Sequence, residues 1–275
     1  MPEGHTVRRL AKRFTADFGG AKVSASSPQG RFAAGAALLD GRTLVGTDAA
    51  GKHLFLGFDD ERWLHVHLGL YGKWAFGTSP APPPRGALRL RLESAERWAD
   101  LRGPTACEVV PRARKRELIA RLGPDPLRRD GRESAFVANL ARSRVPVAAL
   151  LMDQSVVAGV GNVYRAEVLF RARLSPDLPG RAVDPLTASR LWSDLSGLMR
   201  DGVRRGVIVT TDPGDRPPGS RRGTPRREEA HYVYRRTGLP CRICGTPVAT
   251  RVLVGRNLYW CPSCQDGLVG TPLAR

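Results

Sequence analysis

The sequence predicts an α+β multidomain protein: a β-sandwich or barrel preceded by one N-terminal helix, a helical middle, and a small C-terminal unit tied together by cysteines. Three observations predict it. Short alternating apolar runs recur between residue 21 and about 110, helix-period apolar residues take over from about 129, and four of the five cysteines cluster near the C-terminus. At 275 residues the chain exceeds the usual single-domain range, so two or more domains are expected.

Val7, Leu10, Ala11, Phe14 and Phe18 recur at helical spacing and predict the first helix. Beyond Gly19-Gly20 come the runs Leu44-Val45, His53 to Leu56, Trp63 to Leu68 and Leu88 to Leu92, separated by Gly, Asp or Pro, which read as short regular strands. These elements place a first domain at residues 1–112. Residues 113–128, basic and proline-containing, read as a linker. Phe136, Leu140, Val147, Leu150, Leu151, Val168, Leu169 and Phe170, followed by Leu186, Leu191, Leu195, Leu198 and Met199, give several helices in a domain spanning 129–230. That domain closes with an Arg-, Pro- and Gly-rich stretch between Thr210 and Glu229, which has no apolar face to bury and is expected to be a mobile cationic loop. Residues 231–275 are too few to build a core and should depend on metal.

The formal charge is +18, from 44 basic and 26 acidic residues, and it points to a polyanionic partner. No apolar run approaches the roughly 18 residues of a membrane span, and no amphipathic or lipidated segment favours a membrane surface, which leaves nucleic acid. The N-terminal MPEGHTVRRLAKRF lacks the apolar core of a signal peptide, so a cytoplasmic place is expected. Only five of the basic residues are lysines, so a general arginine bias is the bland alternative.

Cys241 and Cys244, then sixteen residues, then Cys261 and Cys264 fit the paired C-x2-C spacing of zinc sites. Each pair turns two thiolates toward one ion, and the second pair completes a tetrahedron, so one structural Zn2+ with no open position is expected. Redox or iron–sulfur use of the same cysteines is the alternative. Between the pairs, Gly255 permits a tight turn and Arg256 sits at its tip, where a rigid cation can reach phosphate. Taken alone, Arg256 also reads as a solvated surface residue. In VVAGVGNVYRAE, residues 156–167, Gly159 and Gly161 allow a turn between helices and Asn162 stands where an N-cap would open the second. Backbone N–H groups there can hold phosphate without reading sequence, or Asn162 simply caps a helix.

Pro2 follows Met1, and removal of the methionine would expose a secondary amine, which titrates near 7.7 to 8.0 and is partly unprotonated at neutral pH. Attack of such an amine on an aldehydic sugar carbon gives a cationic iminium, an electron sink for removing neighbouring protons. Glu3 could move those protons. Many proteins begin Met-Pro, so the dipeptide alone decides little.

Taken in order, PEG at 2–4, GKH at 51–53, HLGLYGKW at 67–74, GVGNVYRAE at 159–167 and the CRIC to CPSC finger resemble the formamidopyrimidine-DNA glycosylase/endonuclease VIII family, on its endonuclease VIII-like branch. The resemblance implies an N-terminal β-sandwich, a helix-two-turn-helix domain and a zinc-finger β-hairpin. It implies a monomeric DNA glycosylase with lyase activity, acting in the nucleoid on damaged DNA, duplex or alternatively single-stranded or bubble, with oxidised pyrimidines preferred. Pro2 would be the Schiff-base nucleophile, Glu3 the acid/base group and Lys52 a cation near the scissile sugar. Asn162 and Arg256 would grip phosphates, and Leu70 and Tyr71 would fill the gap left by a flipped base, although both also read as strand residues in the sandwich core. The sequence departs from the pattern at His5-Thr6, where relatives carry Pro-Glu. Two other readings stay open: a damage- or DNA-end-binding protein of the same fold without turnover, and a zinc-ribbon RNA-binding protein.

Overall fold

The computed structural model describes residues 2–221 and 223–266, and it divides between Arg121 and Leu122 into two compact units. The first opens with α1 (Gly4–Phe18), whose Val7, Ala11, Phe14 and Phe18 are buried at the expected helical spacing. It continues through β1 (Lys22–Ser26), α2 (Ala33–Leu39), β2 (Arg42–Ala50), β3 (His53–Phe58), β4 (Arg62–His67), β5 (Lys73–Thr78), β6 (Leu88–Glu93), β7 (Arg97–Arg102) and β8 (Ala106–Pro111). The strands follow the order β5-β7-β6-β1-β2-β3-β4-β8. A short ladder, Lys22↔Thr43 and Val23↔Arg42, joins the two four-stranded halves of the sandwich. Because successive side chains point to opposite faces, Leu54, Leu56 and Phe58 of β3, Leu64 and Val66 of β4, and Leu90 and Leu92 of β6 join the apolar face of α1 in one core.

Arg91, on the face of β6 opposite to Leu90 and Leu92, is nevertheless buried, and β7 places Asp100 opposite it. Its guanidinium donates to both carboxylate oxygens, at 2.7 and 3.0 Å. A bidentate pair of this kind meets the hydrogen-bonding needs of both charges, which burial would otherwise penalise, and it pins the β6–β7 register.

The stretch read as a linker carries a helix, α3 (Arg112–Ala120). None of its residues is buried, so no apolar stripe announced it. A tertiary contact holds it instead. The Lys115 ammonium donates to Asp48 at 3.0 Å and lies 3.4 Å from the centre of the Trp63 ring. A Cβ at residue 57 would stand 2.9 Å from that indole, so β3 carries Gly57 where Trp63 crosses it.

The second unit contains α4 (Glu133–Ala141), α5 (Val147–Leu150), α6 (Asn162–Arg171) and α7 (Pro185–Arg205) around a core that includes Phe136, Leu140, Leu151, Tyr164, Leu169, Leu191, Leu195 and Met199. Helix α7 has both of its ends written in the sequence. Asp184 accepts the Thr187 N–H at 2.9 Å, Pro185 takes the first position, and Gly206 closes the helix at φ 78. Leu186, grouped with the core by spacing, is exposed in the first turn. No helix among the described residues is long and apolar enough to cross a membrane.

The Arg-rich stretch expected to be a mobile loop is tied down at both ends. Thr210 and Thr211 are buried, the Thr210 N–H donates to Ala230 O at 2.8 Å, and the Tyr232 hydroxyl donates to Asp215 at 2.6 Å. These anchors are contributed by residues that carry no apolar signal. Arg222 lies outside the described residues. The chain then forms the hairpin of β9 (Ala249–Leu253) and β10 (Arg256–Trp260).

Candidate active site and nucleic-acid interface

In the first unit, Pro2 and Glu3 lead directly into α1. Glu3 is the residue before the first helical turn, extended at φ −118, and its carbonyl accepts the Thr6 N–H at 2.9 Å. Glu3 is fully buried and Pro2 half-buried, so both are held in place at the helix start. The expected removal of Met1 concerns a residue outside those described. His5 is buried one position further on, with Thr6 Oγ1 3.2 Å from its Nε2. Burial, with Arg9 among the adjacent positive charges, pushes the imidazole down to about 4. The helix start therefore holds a neutral ring and a hydroxyl where the resemblance expects Pro-Glu.

Lys52 occupies a two-residue turn with Gly51, which adopts φ 55 and lets Ala50 pair with His53. Its charge is felt by two rings beside the turn. Burial, then His65, His67 and Lys52, push His53 down to about 3, and burial followed by Lys52 and His65 lowers His67 as well. His67 Nδ1 accepts the Gly69 N–H at 3.2 Å, which places its ring proton on Nε2. Leu70 and Tyr71 lie in the following turn, closed by the Gly72 N–H to Leu68 O at 2.9 Å. They are 44% and 84% exposed, so the reading of them as strand residues in the sandwich core is corrected: β4 ends at His67, ahead of both.

In the second unit, Gly159 takes φ 86 and Gly161, not Asn162, precedes the first turn of α6. Asn162 is inside that turn and buried. Its amide nitrogen donates to Asn257 O at 2.9 Å, while its amide oxygen accepts from Arg165. One position past the cap, the side chain bonds the hairpin carbonyl in place of the helix's own N–H groups. Arg165, also fully buried, donates to Asn257 O at 3.2 Å and to Leu253 O at 3.5 Å. Helix α6 thereby grips the two backbone carbonyls that flank the turn carrying Arg256. That turn is tight, with Val254 and Gly255 at its tip at φ 52 and 65; Arg256, expected at the tip, is instead the first residue of the returning strand, paired with Leu253.

Further along α6, Glu167 is fully buried and accepts the N–H groups of Tyr232, Val233 and Tyr234 at 2.7, 2.9 and 2.7 Å, together with the Thr210 hydroxyl. Removing the carboxylate would leave two buried backbone donors, those of Tyr232 and Val233, unmet at about 1–3 kcal/mol each, and the part-buried Tyr234 N–H as well. It fastens the chain that leads into the cysteines.

The Sγ atoms of Cys241, Cys244, Cys261 and Cys264 all lie within 4.8 Å of one another. Cys244 and Cys261 are 3.4 Å apart, and Cys241 and Cys264 are 3.9 Å apart. A tetrahedron with Zn–S bonds of about 2.3 Å has edges of about 3.8 Å, whereas a disulfide needs about 2.05 Å. The four thiols therefore fit a metal ion. The apolar cluster around them contains little else than Ala166, Phe170, Tyr232, Val233, Val248 and Tyr259.

Residues 1–107 match the formamidopyrimidine-DNA glycosylase N-terminal domain, 122–213 the formamidopyrimidine-DNA glycosylase H2TH domain, and 238–267 the zinc finger found in FPG and IleRS. The protein described as Endonuclease 8 1 of Mycobacterium tuberculosis is 49% identical over 269 residues, covering 96% of this chain and all of that one. The chain belongs to the formamidopyrimidine-DNA glycosylase/endonuclease VIII family. The Thermus thermophilus formamidopyrimidine-DNA glycosylase is 38% identical over 236 residues, 83% of this chain and 85% of its own. The crystal structure of MutM (Fpg) from the same organism superposes with a TM-score of 0.77 at 34% identity, covering 97% of this chain and 99% of that one.

The three family matches include Pro2, Glu3, Lys52, Leu70, Tyr71, Asn162, Arg256 and the four cysteines. Sequence reasoning missed His53, His65, His67 and Glu108 as a group, and Arg165 and Glu167 as anchors. His65 and His67 carried one signal, the two-residue spacing that puts both on one sheet face.

Proposed function

We propose that this chain is a bifunctional DNA glycosylase and abasic-site lyase of base excision repair, acting on oxidised bases with pyrimidines preferred. The observation that carries it is the Pro2-Glu3 start, held at the head of α1 in a chain of this family, with Glu3 fully buried. Pro2, once exposed, attacks the sugar C1′ and displaces the base, whose glycosidic bond breaks. Glu3 moves protons at the sugar. The resulting iminium acidifies the neighbouring carbon, so that proton loss expels the 3′ phosphate and then the 5′ phosphate, leaving a one-nucleotide gap. Lys52, Asn162 and Arg256 hold phosphates, and Leu70 and Tyr71, exposed on their turn, enter the duplex when the base leaves it. The four cysteines hold one zinc ion, which supports the finger and takes no part in the chemistry. The protein acts as a monomer on duplex DNA, and also on single-stranded or bubble DNA, in the cytoplasmic nucleoid.

Borohydride trapping on abasic duplex DNA tests the reading. A covalent protein–DNA adduct is expected, whereas a protein that binds and never traps would be a damage-binding relative without turnover. Preference for structured RNA over lesion-bearing duplex would count for the zinc-ribbon alternative.

Arg256→Ala is expected to weaken DNA binding across all sequences. It should also lower the slope of log affinity against log salt by about 0.9, the share of one phosphate contact. An unchanged slope, measured by fluorescence anisotropy, would remove Arg256 from the phosphate contacts.

A further inference from the structure

The sandwich face that carries the Lys52 turn holds a line of hydrogen-bonding groups that the proposed chemistry does not use. Strand pairing sets His53 opposite His67, Phe55 opposite His65, and His65 opposite Glu108, so all five side chains share one face of β3, β4 and β8. His53 Nδ1 lies 2.8 Å from His65 Nε2, and His65 Nδ1 lies 2.8 Å from Glu108 Oε1. The His65 ring stacks on His53 at 5.0 Å and on Phe55 at 5.0 Å, so it has little freedom to turn away. His65 is 3% exposed, whereas the Glu108 side chain is 51% exposed.

With both rings in their neutral forms, these contacts allow one arrangement of protons. A carboxylate only accepts, so His65 carries its proton on Nδ1 and presents a lone pair at Nε2. His53 must then donate from Nδ1, which leaves its Nε2 as a lone pair. We propose that His53, His65 and Glu108 form a proton relay between the Lys52 turn and solvent, a role that rests on the lyase reading above.

A proton released at the sugar is taken up at His53 Nε2. The His53 Nδ1 proton passes to His65 Nε2, and the His65 Nδ1 proton passes to Glu108. Both rings stay neutral with their tautomers exchanged, and one proton has moved from the site to the exposed carboxylate. The sequence runs backwards at the next lesion, where solvent returns a proton to Glu108. Glu108 protonates His65 Nδ1, His65 Nε2 protonates His53 Nδ1, and the His53 Nε2 proton goes to the departing base, which resets the line for the elimination that follows. Such a line suits its surroundings. Burial and the charges of Lys52 and the adjacent histidines oppose an imidazolium at His53, and the relay never forms one that persists. On the same face, Lys115 is committed to Asp48 and Trp63, and His67 Nδ1 to Gly69, so neither of these groups diverts the line at His65. His53 is the member that meets the released proton, and His65 and Glu108 are relay residues that need not touch DNA.

The test uses single-turnover elimination on an abasic-site duplex by the full chain. Glu108→Gln retains a carbonyl to accept the His65 proton yet cannot take that proton away, so elimination should slow about 10-fold while the Kd for the same duplex stays within about twofold. Glu108→Ala should slow it similarly, and added formate should restore the rate by standing in for the missing carboxylate. His65→Phe keeps the stack on Phe55 and severs both hydrogen bonds, so it should be equally slow and insensitive to formate. Elimination by Glu108→Gln at the wild-type rate would overturn the relay, as would a Glu108→Ala defect that formate leaves unchanged. A wild-type protein that never traps on borohydride would overturn the lyase reading itself, and the relay with it.

Discussion

Pro2→Gly is expected to lower borohydride trapping and strand cleavage on abasic DNA by about 100-fold or more, while DNA affinity changes little. Once Met1 is removed, the ring of Pro2 makes the terminal nitrogen a secondary amine and, by closing back on Cα, fixes the direction in which its lone pair points from the head of α1. Glycine keeps an amine and loses that aim. Misplacing a reacting atom by about 1 Å can cost on the order of 100-fold. A chain that retains Met1 should behave in the same way, since its terminal nitrogen lies one residue, about 3.8 Å, further on. Gel analysis of trapped adducts, with anisotropy for affinity, separates chemistry from binding. Wild-type trapping by Pro2→Gly would show that another amine, not the mature N-terminus, carries the Schiff base.

The second large effect is expected from metal. Chelation, or Cys261→Ser, should unfold the unit that follows Tyr232 and reduce DNA affinity by about 100-fold or more, with the sandwich core keeping its own unfolding transition. Two of the eight buried residues in the small C-terminal cluster are themselves ligands, Cys241 and Cys261, so little apolar surface remains to hold the hairpin when the thiols are released. Structural zinc supplies about 10–16 kcal/mol in finger peptides, far more than six small or aromatic neighbours can replace. The Asn257 carbonyl would then no longer stand before Asn162 and Arg165, and Arg256 would lose its support. Tryptophan emission from Trp260 and a DNA titration with and without chelator would report both losses. Undiminished affinity after zinc removal would exclude the finger from DNA binding.

Local patterns carried most of the fold. The spacing of Val7, Ala11, Phe14 and Phe18 wrote α1, Asp184-Pro185 and Gly206 wrote the ends of α7, and the two C-x2-C pairs wrote the finger. The pairings that define the site's environment are of another kind. His65 meets Glu108 through the register of two strands 43 positions apart, and Asn162 meets Asn257 across 95. Neither register can be read from a window of neighbouring residues. Helix α3 escaped for a related reason, since a single lysine held between Asp48 and Trp63 fixes it in place of an apolar face. The wrong helical cap at Asn162 shows the same competition: a local preference gave way to a carbonyl brought near by tertiary structure.

If Asn162 holds phosphate as proposed, the grip of α6 on the hairpin gives it a second duty. Its amide holds the strand that begins with Arg256, so trimming it disturbs the finger as well as any anion at the helix head. Losses at Asn162 and Arg256 will consequently be epistatic rather than summed. A drop in affinity after Asn162→Ala, taken alone, says nothing about which of the two duties was lost.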